Sequence, residues 1–172
     1  HPDKISVYEY EQYDCIFVAS EKYADKLRKD LTVQVEPLLQ CTDPEVFYPD
    51  FEGEEKVGDV LFVGNSRKVY RKIVRDAVQA GLECDVYGTN WENLLPPEYL
   101  KGIHIPNDLL RRYYTRCGVL LNDHWDNMIQ NGFISNRLLD AAACGAAIVS
   151  DNVPGLAKIF GDRVMTYEHS EE

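Results

Sequence analysis

The feature that most constrains this chain is the rhythm of its last two-thirds, where short apolar runs alternate with amphipathic stripes across short loops. Residues 59–63 (DVLFV) read as a strand. Residues 68–80 carry apolar side chains at Val69, Ile73, Val74, Ala77 and Val78, the stripe of a helix, and Gly81 stops it. Residues 83–87 form a second strand ending at Gly88, and residues 102–105 a third. A helix over 106–117 follows with Pro106 at its start, then a fourth strand over 118–122. A helix over 136–144 is closed by Gly145, a fifth strand spans 146–150 and a sixth 164–167. Strands and helices alternating in this way imply a parallel sheet wound by right-handed crossovers. The expected fold class is α/β: a Rossmann-like parallel sheet with helices on both faces.

The residues before this unit have a different character. Residues 13–19 read as a short buried strand, Ser20 as the cap of a helix over 21–30, and 33–35 as a further short strand. Residues 37–49 are irregular and proline-bearing, and 51–58 are acidic and polar, with 52–55 a solvated run. Together they read as a connector, dividing the chain into residues 1–50 and a sheet domain over 51–172. The first residues, His1-Pro2-Asp3-Lys4, lack a Met and suggest a piece of a longer chain.

Composition narrows the function classes. A net charge of −11 gains nothing from counterion release, so nucleic acid is not an expected partner. A small anion is still possible, because a few local donors override the average field. The five cysteines lack Cys-x-x-Cys spacing and mostly lie in or beside apolar runs, as reduced core residues of a cytoplasmic protein do. No apolar stretch reaches the roughly 20 residues of a membrane span, and no signal peptide is visible.

In an open parallel sheet, ligands bind beyond the carboxyl ends of the strands, near the point where strand order reverses. Two loops there attract attention. Gly64-Asn65-Ser66-Arg67 leads into a helix; glycine admits a phosphate to the backbone, and helix N–H groups with a guanidinium complete an anion site. The same residues equally suit a tight turn with a surface arginine, and they match neither Gly-x-Gly-x-x-Gly nor a Walker loop. The second loop, 131–137, enters a helix capped by Ser135 or Asn136. Gly132 would allow close approach to a ligand. Asp140, one turn inside, would face the same opening as Asn136 and Arg137, where a carboxylate can accept both ribose hydroxyls. Its alternative is a solvated acid on a well-capped helix.

Other candidates have plainer readings. Asp123-His124-Trp125-Asp126 pairs an acid with a histidine, as acid/base or metal chemistry would. Without a second histidine at ligand spacing, a structural or sugar-contact role ranks ahead of a metal. His104, inside the presumed third strand, reads as a core histidine, and Arg111, Arg112 and Arg116 as surface ion-pair formers.

Residues 121–151 resemble the donor-binding signature of GT-B glycosyltransferases of group 1, and most of all the spore-maturation-protein-like subset. That signature is a strand, a loop, a helix of the form Asn-Arg-Leu-(Phe/Leu)-(Glu/Asp)-Ala-x-Ala-x-Gly, and a strand ending in an acid. Here residues 136–145 read NRLLDAAACG and 146–151 read AAIVSD. Residues 13–49 resemble the last strand and helix of that family's acceptor domain with its linker, so 1–50 would be an acceptor-domain remnant.

The resemblance implies a nucleotide diphosphate sugar as donor, no other cofactor and no metal. Gly64, Asn65 and Arg67 would form the first diphosphate loop, and Ser135, Asn136 and Arg137 the diphosphate-binding helix end. Asp140 would be the ribose-binding acid. The segment 103–107, with His104, Ile105 and Asn107, would line the base beside Tyr87 and Gly88. Two positions depart from the pattern. Many retaining members carry Glu, seven residues, Glu, whereas here Gly132 stands in the first place; and Arg67, Lys68 and Arg71 compete for the basic residue after the first loop. No catalytic residue is assigned. The acceptor, whether glycan, lipid, protein or small molecule, would sit on the N-terminal domain, so this chain would bind without turnover. A cytoplasmic location follows, with membrane association open to the full-length protein. The alternatives are a non-catalytic nucleotide-sugar-binding or interaction module and a nucleotide-sugar epimerase.

Overall fold

A computed structural model describes residues 5–52 and 56–168. Most of the acidic run over 52–55 lies outside the described residues, as do His1 to Lys4. In chain order the elements are α1 (Val7–Tyr10), β1 (Cys15–Val18), α2 (Glu21–Asp30), β2 (Gln34–Pro37), β3 (Val60–Val63), α3 (Lys72–Gln79) and β4 (Cys84–Tyr87). After a 3-10 turn (Pro97–Tyr99) come β5 (Leu100–Gly102), α4 (Asn107–Arg116), β6 (Val119–Asn122), α5 (Asp126–Asn131), α6 (Asn136–Ala143), β7 (Ile148–Asp151), α7 (Leu156–Phe160) and β8 (Val164–Tyr167).

Six strands form one parallel sheet in the order β5-β4-β3-β6-β7-β8, and β1 and β2 form a separate parallel pair. The chain winds outward from β3 to β5, then returns to build β6 to β8 on the other side. The carboxyl ends of β3 and β6 therefore flank the reversal point, where side chains from two crossovers can meet over one crevice. Alternation along β3 explains the two-sided core. Val60 and Phe62 pack with Ile73, Val74 and Ala77 of α3, while Leu61 packs with Leu138 and Ala141 of α6 and Tyr114 of α4.

Several expectations shift. The first helix of the sheet domain begins at Lys72 rather than 68, because Arg67 (φ 54°) and Lys68 (φ 67°) adopt the left-handed conformation and cannot continue a right-handed helix. The third strand ends at Gly102, leaving His104 exposed beyond it rather than in the core. β1 is not a buried strand: Phe17 is 61% exposed, since β1 pairs only with β2 and α2 covers a single face. The three arginines of α4 are not surface pairs. Arg111 and Arg112 each reach Oδ2 of buried Asp50 at 3.1 Å, and Arg116 approaches its other oxygen at 4.0 Å, so the linker is pinned to the sheet domain by a shared carboxylate. All five cysteines are free. Among the described residues, no helix is long and apolar enough to cross a membrane.

Candidate functional site

A cavity of about 420 Å³ lies over the carboxyl ends of β3, β4 and β6. Its floor is the loop after β3. Gly64 N donates to Tyr87 O at 2.8 Å, and Gly64 O accepts from Nε1 of the fully buried Trp91 at 2.8 Å. A Cβ on Gly88 would sit 2.2 Å from Gly64 O, so the two loops touch backbone to backbone and position 88 has no room for a side chain. Asn65 Oδ1 accepts from Thr89 N at 2.8 Å, and Ser66 N donates to Thr89 O at 3.0 Å. Buried Ser66 also turns its hydroxyl to Asn90 O and accepts from Lys68 N, which holds the left-handed pair Arg67–Lys68 in place. Two such non-glycine residues cost about 1–3 kcal/mol each, a strain that persists where the surrounding structure enforces it.

Three arginines surround the cavity in different states. Arg67 is exposed, its guanidinium 4.7 Å from the Trp125 ring centre. Arg71, immediately before α3, is buried. It lies 4.4 Å from the same ring and is paired in two places with Asp123, Nε to Oδ2 at 2.7 Å and Nη2 to Oδ1 at 2.5 Å. Burial pushes the Asp123 carboxyl above its ordinary range, against the pull of Arg71. Arg137, in the first turn of α6, donates from Nη1 to Asn122 Oδ1 at 2.9 Å and lies 5.9 Å from the Phe62 ring. Among the described residues it has no carboxylate within ion-pair distance; of the two acids that act on it through space, Asp123 is committed to Arg71 and Asp140 is bonded to Thr42. Desolvation pushes its pKa down, with Tyr114 and then Asp123 pulling it back up.

Ten of the eleven residues expected to bind the donor line this one cavity. Gly64, Asn65 and Arg67 come from the first loop, and Ser135, Asn136 and Arg137 from the start of α6. Tyr87, His104, Ile105 and Asn107 form the far wall. Asp140 is not among the lining residues. Instead of facing the opening with Asn136 and Arg137, its Oδ1 accepts from the hydroxyl of Thr42 in the linker at 2.8 Å. Burial raises the Asp140 carboxyl, with Thr42 and then Arg137 pulling it back. Ser135 precedes the first residue of α6, but its side chain makes no capping bond.

Gly132 does not approach this cavity. It ends α5 with φ 71°, and a Cβ there would meet Ser20 and Lys22 of the N-terminal segment at 3.1 Å. His124 is fully enclosed, with both ring nitrogens engaged, so the acid/base reading of residues 123–126 has no free nitrogen to act through. Sequence reasoning missed Gln40, Leu110 and Met128 as lining residues, and the pairing of Asp123 with Arg71. A basic residue near 71 was legible, but its partner 52 positions on was not. Among the described residues, no cluster of three or more His, Cys, Asp or Glu is placed to hold a metal ion.

A parallel sheet with an arginine-lined crevice at its reversal point defines the class: the C-terminal, Rossmann-like half of a GT-B fold. The profile of the glycosyl transferase-like family matches residues 67–172, and the chain belongs to that family. No curated protein matches the chain by sequence. Among solved structures, the fold is similar to that of sucrose-phosphate synthase from Thermosynechococcus elongatus, with a TM-score of 0.69 at 15% identity. That alignment covers 96% of this chain and 48% of the other, so the chain spans about half the length of that protein.

Proposed function

We propose that this chain is the donor-binding half of a glycosyltransferase, and that its cavity holds a nucleoside diphosphate sugar. The observation that carries the reading is Arg137. A partly buried guanidinium without a counter-carboxylate lines a cavity on which the N-terminus of α6 also opens. A cation in that position with no carboxylate in direct contact is stabilised by an anion beside it, and helix N–H groups add to the same field. The contact between Gly64 and Gly88 leaves a side-chain-free floor on which a phosphate can lie. In sugar transfer the bond from the anomeric carbon to the diphosphate breaks and negative charge grows on the departing oxygen. Donors set in place beforehand stabilise that charge as it develops. Arg137, the start of α6 and the exposed Arg67 suit that task without a metal. The wall formed by Tyr87, Ile105 and the backbone of 103–105 suits a base. Asp140 does not line the cavity, so a ribose contact requires its side chain, held at Oδ1 by Thr42, to turn Oδ2 toward the bound nucleotide.

The test is calorimetric titration with UDP, GDP and their sugar conjugates. One base should bind. Arg137→Gln should lower affinity about tenfold or more, the worth of a charge-assisted contact to phosphate. Asp140→Ala should weaken binding of the ribonucleotide more than of its 2′,3′-dideoxy counterpart. Equal affinities for wild type and Arg137→Gln would overturn the reading. Conversion of a sugar nucleotide without any acceptor would point instead to an epimerase.

A further inference from the structure

The two groups that face the anion in this reading, the first turn of α6 and the Arg137 guanidinium, are joined behind the cavity by one closed circuit of hydrogen bonds. It starts at the backbone N–H of Ser135, which donates to Nε2 of His124 at 2.9 Å. His124 Nδ1 meets Asp151 Oδ1 at 2.5 Å, and the His124 backbone N–H donates to Asp151 Oδ2 at 2.8 Å. Oδ1 of Asp151 also accepts from the Ser150 hydroxyl at 3.2 Å. Ser150 Oγ accepts from Asn122 Nδ2 at 2.9 Å, and Asn122 Oδ1 accepts from Arg137 Nη1 at 2.9 Å, which returns the path to α6. His124, Asn122 and Ser150 are buried, and the His124 side chain is fully enclosed.

Proton directions around this circuit are forced. A guanidinium and a backbone N–H can only donate, so Asn122 must present its oxygen to Arg137 and His124 must present a bare Nε2 to Ser135. Asn122 therefore turns its amide to Ser150, and the Ser150 hydroxyl can only donate onward. The imidazole proton sits on Nδ1 and also points outward. Both arms end on Asp151, the single carboxylate and the one member able to take every proton directed at it.

We infer that Asp151 and His124 are positioning residues for the diphosphate site. Their carboxylate–imidazole pair fixes the imidazole tautomer that holds the start of α6, while the Ser150–Asn122 arm fixes the plane of the Arg137 guanidinium. The inference rests on the donor-site reading. It assigns a task to the acid at the end of β7, which touches no part of the cavity.

The experiment has two independent readouts. Nitrogen-15 NMR of the imidazole should show wild-type His124 as neutral, protonated on Nδ1 and bare at Nε2. In Asp151→Asn, the new amide can offer a donor to Nδ1, so a shift of the proton to Nε2 is expected, with loss of the Ser135 contact. Titration with the pairs UDP/UMP and GDP/GMP should then show diphosphate affinity falling about tenfold with the monophosphate less affected, which compresses the ratio within a pair. Ser150→Ala breaks only the Arg137 arm and leaves His124 in place. It should keep the wild-type tautomer and still compress the ratio, which covers the case of Asp151→Asn failing to fold. A wild-type His124 protonated on Nε2, or an unchanged ratio in Ser150→Ala, would overturn the positioning role while leaving the donor site standing. Failure of wild type to bind either diphosphate would overturn the donor-site reading and this role together.

Discussion

At the scale of single residues, Gly88 has the closest backbone contact of the glycines among the described residues. Its Cβ would lie 2.2 Å from Gly64 O, 2.6 Å from Gly64 C and 3.0 Å from Asn65 N, all backbone atoms that cannot swing aside. Gly88→Ala must therefore push the loop after β4 away from the loop after β3. That movement loosens the bond from Trp91 Nε1 to Gly64 O as well as the cavity floor. Overpacking of this kind costs about 1–3 kcal/mol. Thermal unfolding should show Gly88→Ala clearly destabilised, whereas Gly81→Ala meets no atom within 4 Å and bears only the cost of its left-handed φ of 78°. Equal melting temperatures for Gly88→Ala and wild type would contradict the backbone contact. Asp140 teaches the complementary lesson. Helical spacing placed it near Asn136 correctly, but spacing along α6 cannot register a threonine 98 positions earlier, and Thr42 takes the carboxylate.

At the scale of elements, legibility followed periodicity. The strands over 60–63, 84–87, 119–122, 148–151 and 164–167 stand within two residues of where the short apolar runs put them, and the helices α2, α4 and α6 close to where their end signals Ser20, Pro106 and Gly145 put them. The helices α1, α5 and α7 were not visible in the sequence. They have four to six residues, too short for a stripe, and depend on neighbours for stability. The start of α3 was misplaced because Val69 fits the stripe, while the left-handed turn at 67–68 is enforced by Ser66 and the loop over 88–91, partners distant in sequence. The same distance hid the clamp between α4 and the linker. Asp50 is buried, which pushes its carboxyl up; hydrogen bonds from Arg112, the Glu52 amide and Arg111 outweigh that and hold it below its ordinary value of 3.8. A carboxyl lowered in the folded state stabilises the protein above its ordinary pKa, and the benefit is lost as pH falls through the lower, folded value. Wild type should therefore lose melting temperature more steeply than Asp50→Asn as pH is lowered below about 4. Near neutral pH the variant should be the less stable of the two. Parallel melting curves across that range would show that the three arginines do not depend on the carboxylate.

At the scale of the whole molecule, the groups that furnish the cavity bear on whether this chain can carry out transfer alone. The described residues supply cations, helix N–H groups and a backbone floor on one side. The acid and histidine nearest to them are both committed. Asp123 is paired with Arg71, and His124 has both nitrogens bonded. In the place where many relatives of the GT-B type carry a first glutamate stands Gly132, in the left-handed region at φ 71°, where a Cβ would press on Ser20 and Lys22 at 3.1 Å. Of the titratable groups on the cavity wall among the described residues, Asp123 is paired and His104 is the exposed histidine, and the chain spans about half of the sucrose-phosphate synthase whose fold it resembles. The expected outcome is binding without transfer. Incubated with the sugar nucleotide that titration identifies, this chain should release nucleoside diphosphate no faster than buffer does, with or without simple sugars as acceptors. The full-length protein should release it readily once its acceptor is supplied. A coupled assay for free nucleoside diphosphate, run on both proteins at equal concentration, makes the comparison. Release by this chain at a rate near that of the full-length protein would place the reacting groups within the sheet domain, and Asp123 would become the first residue to replace.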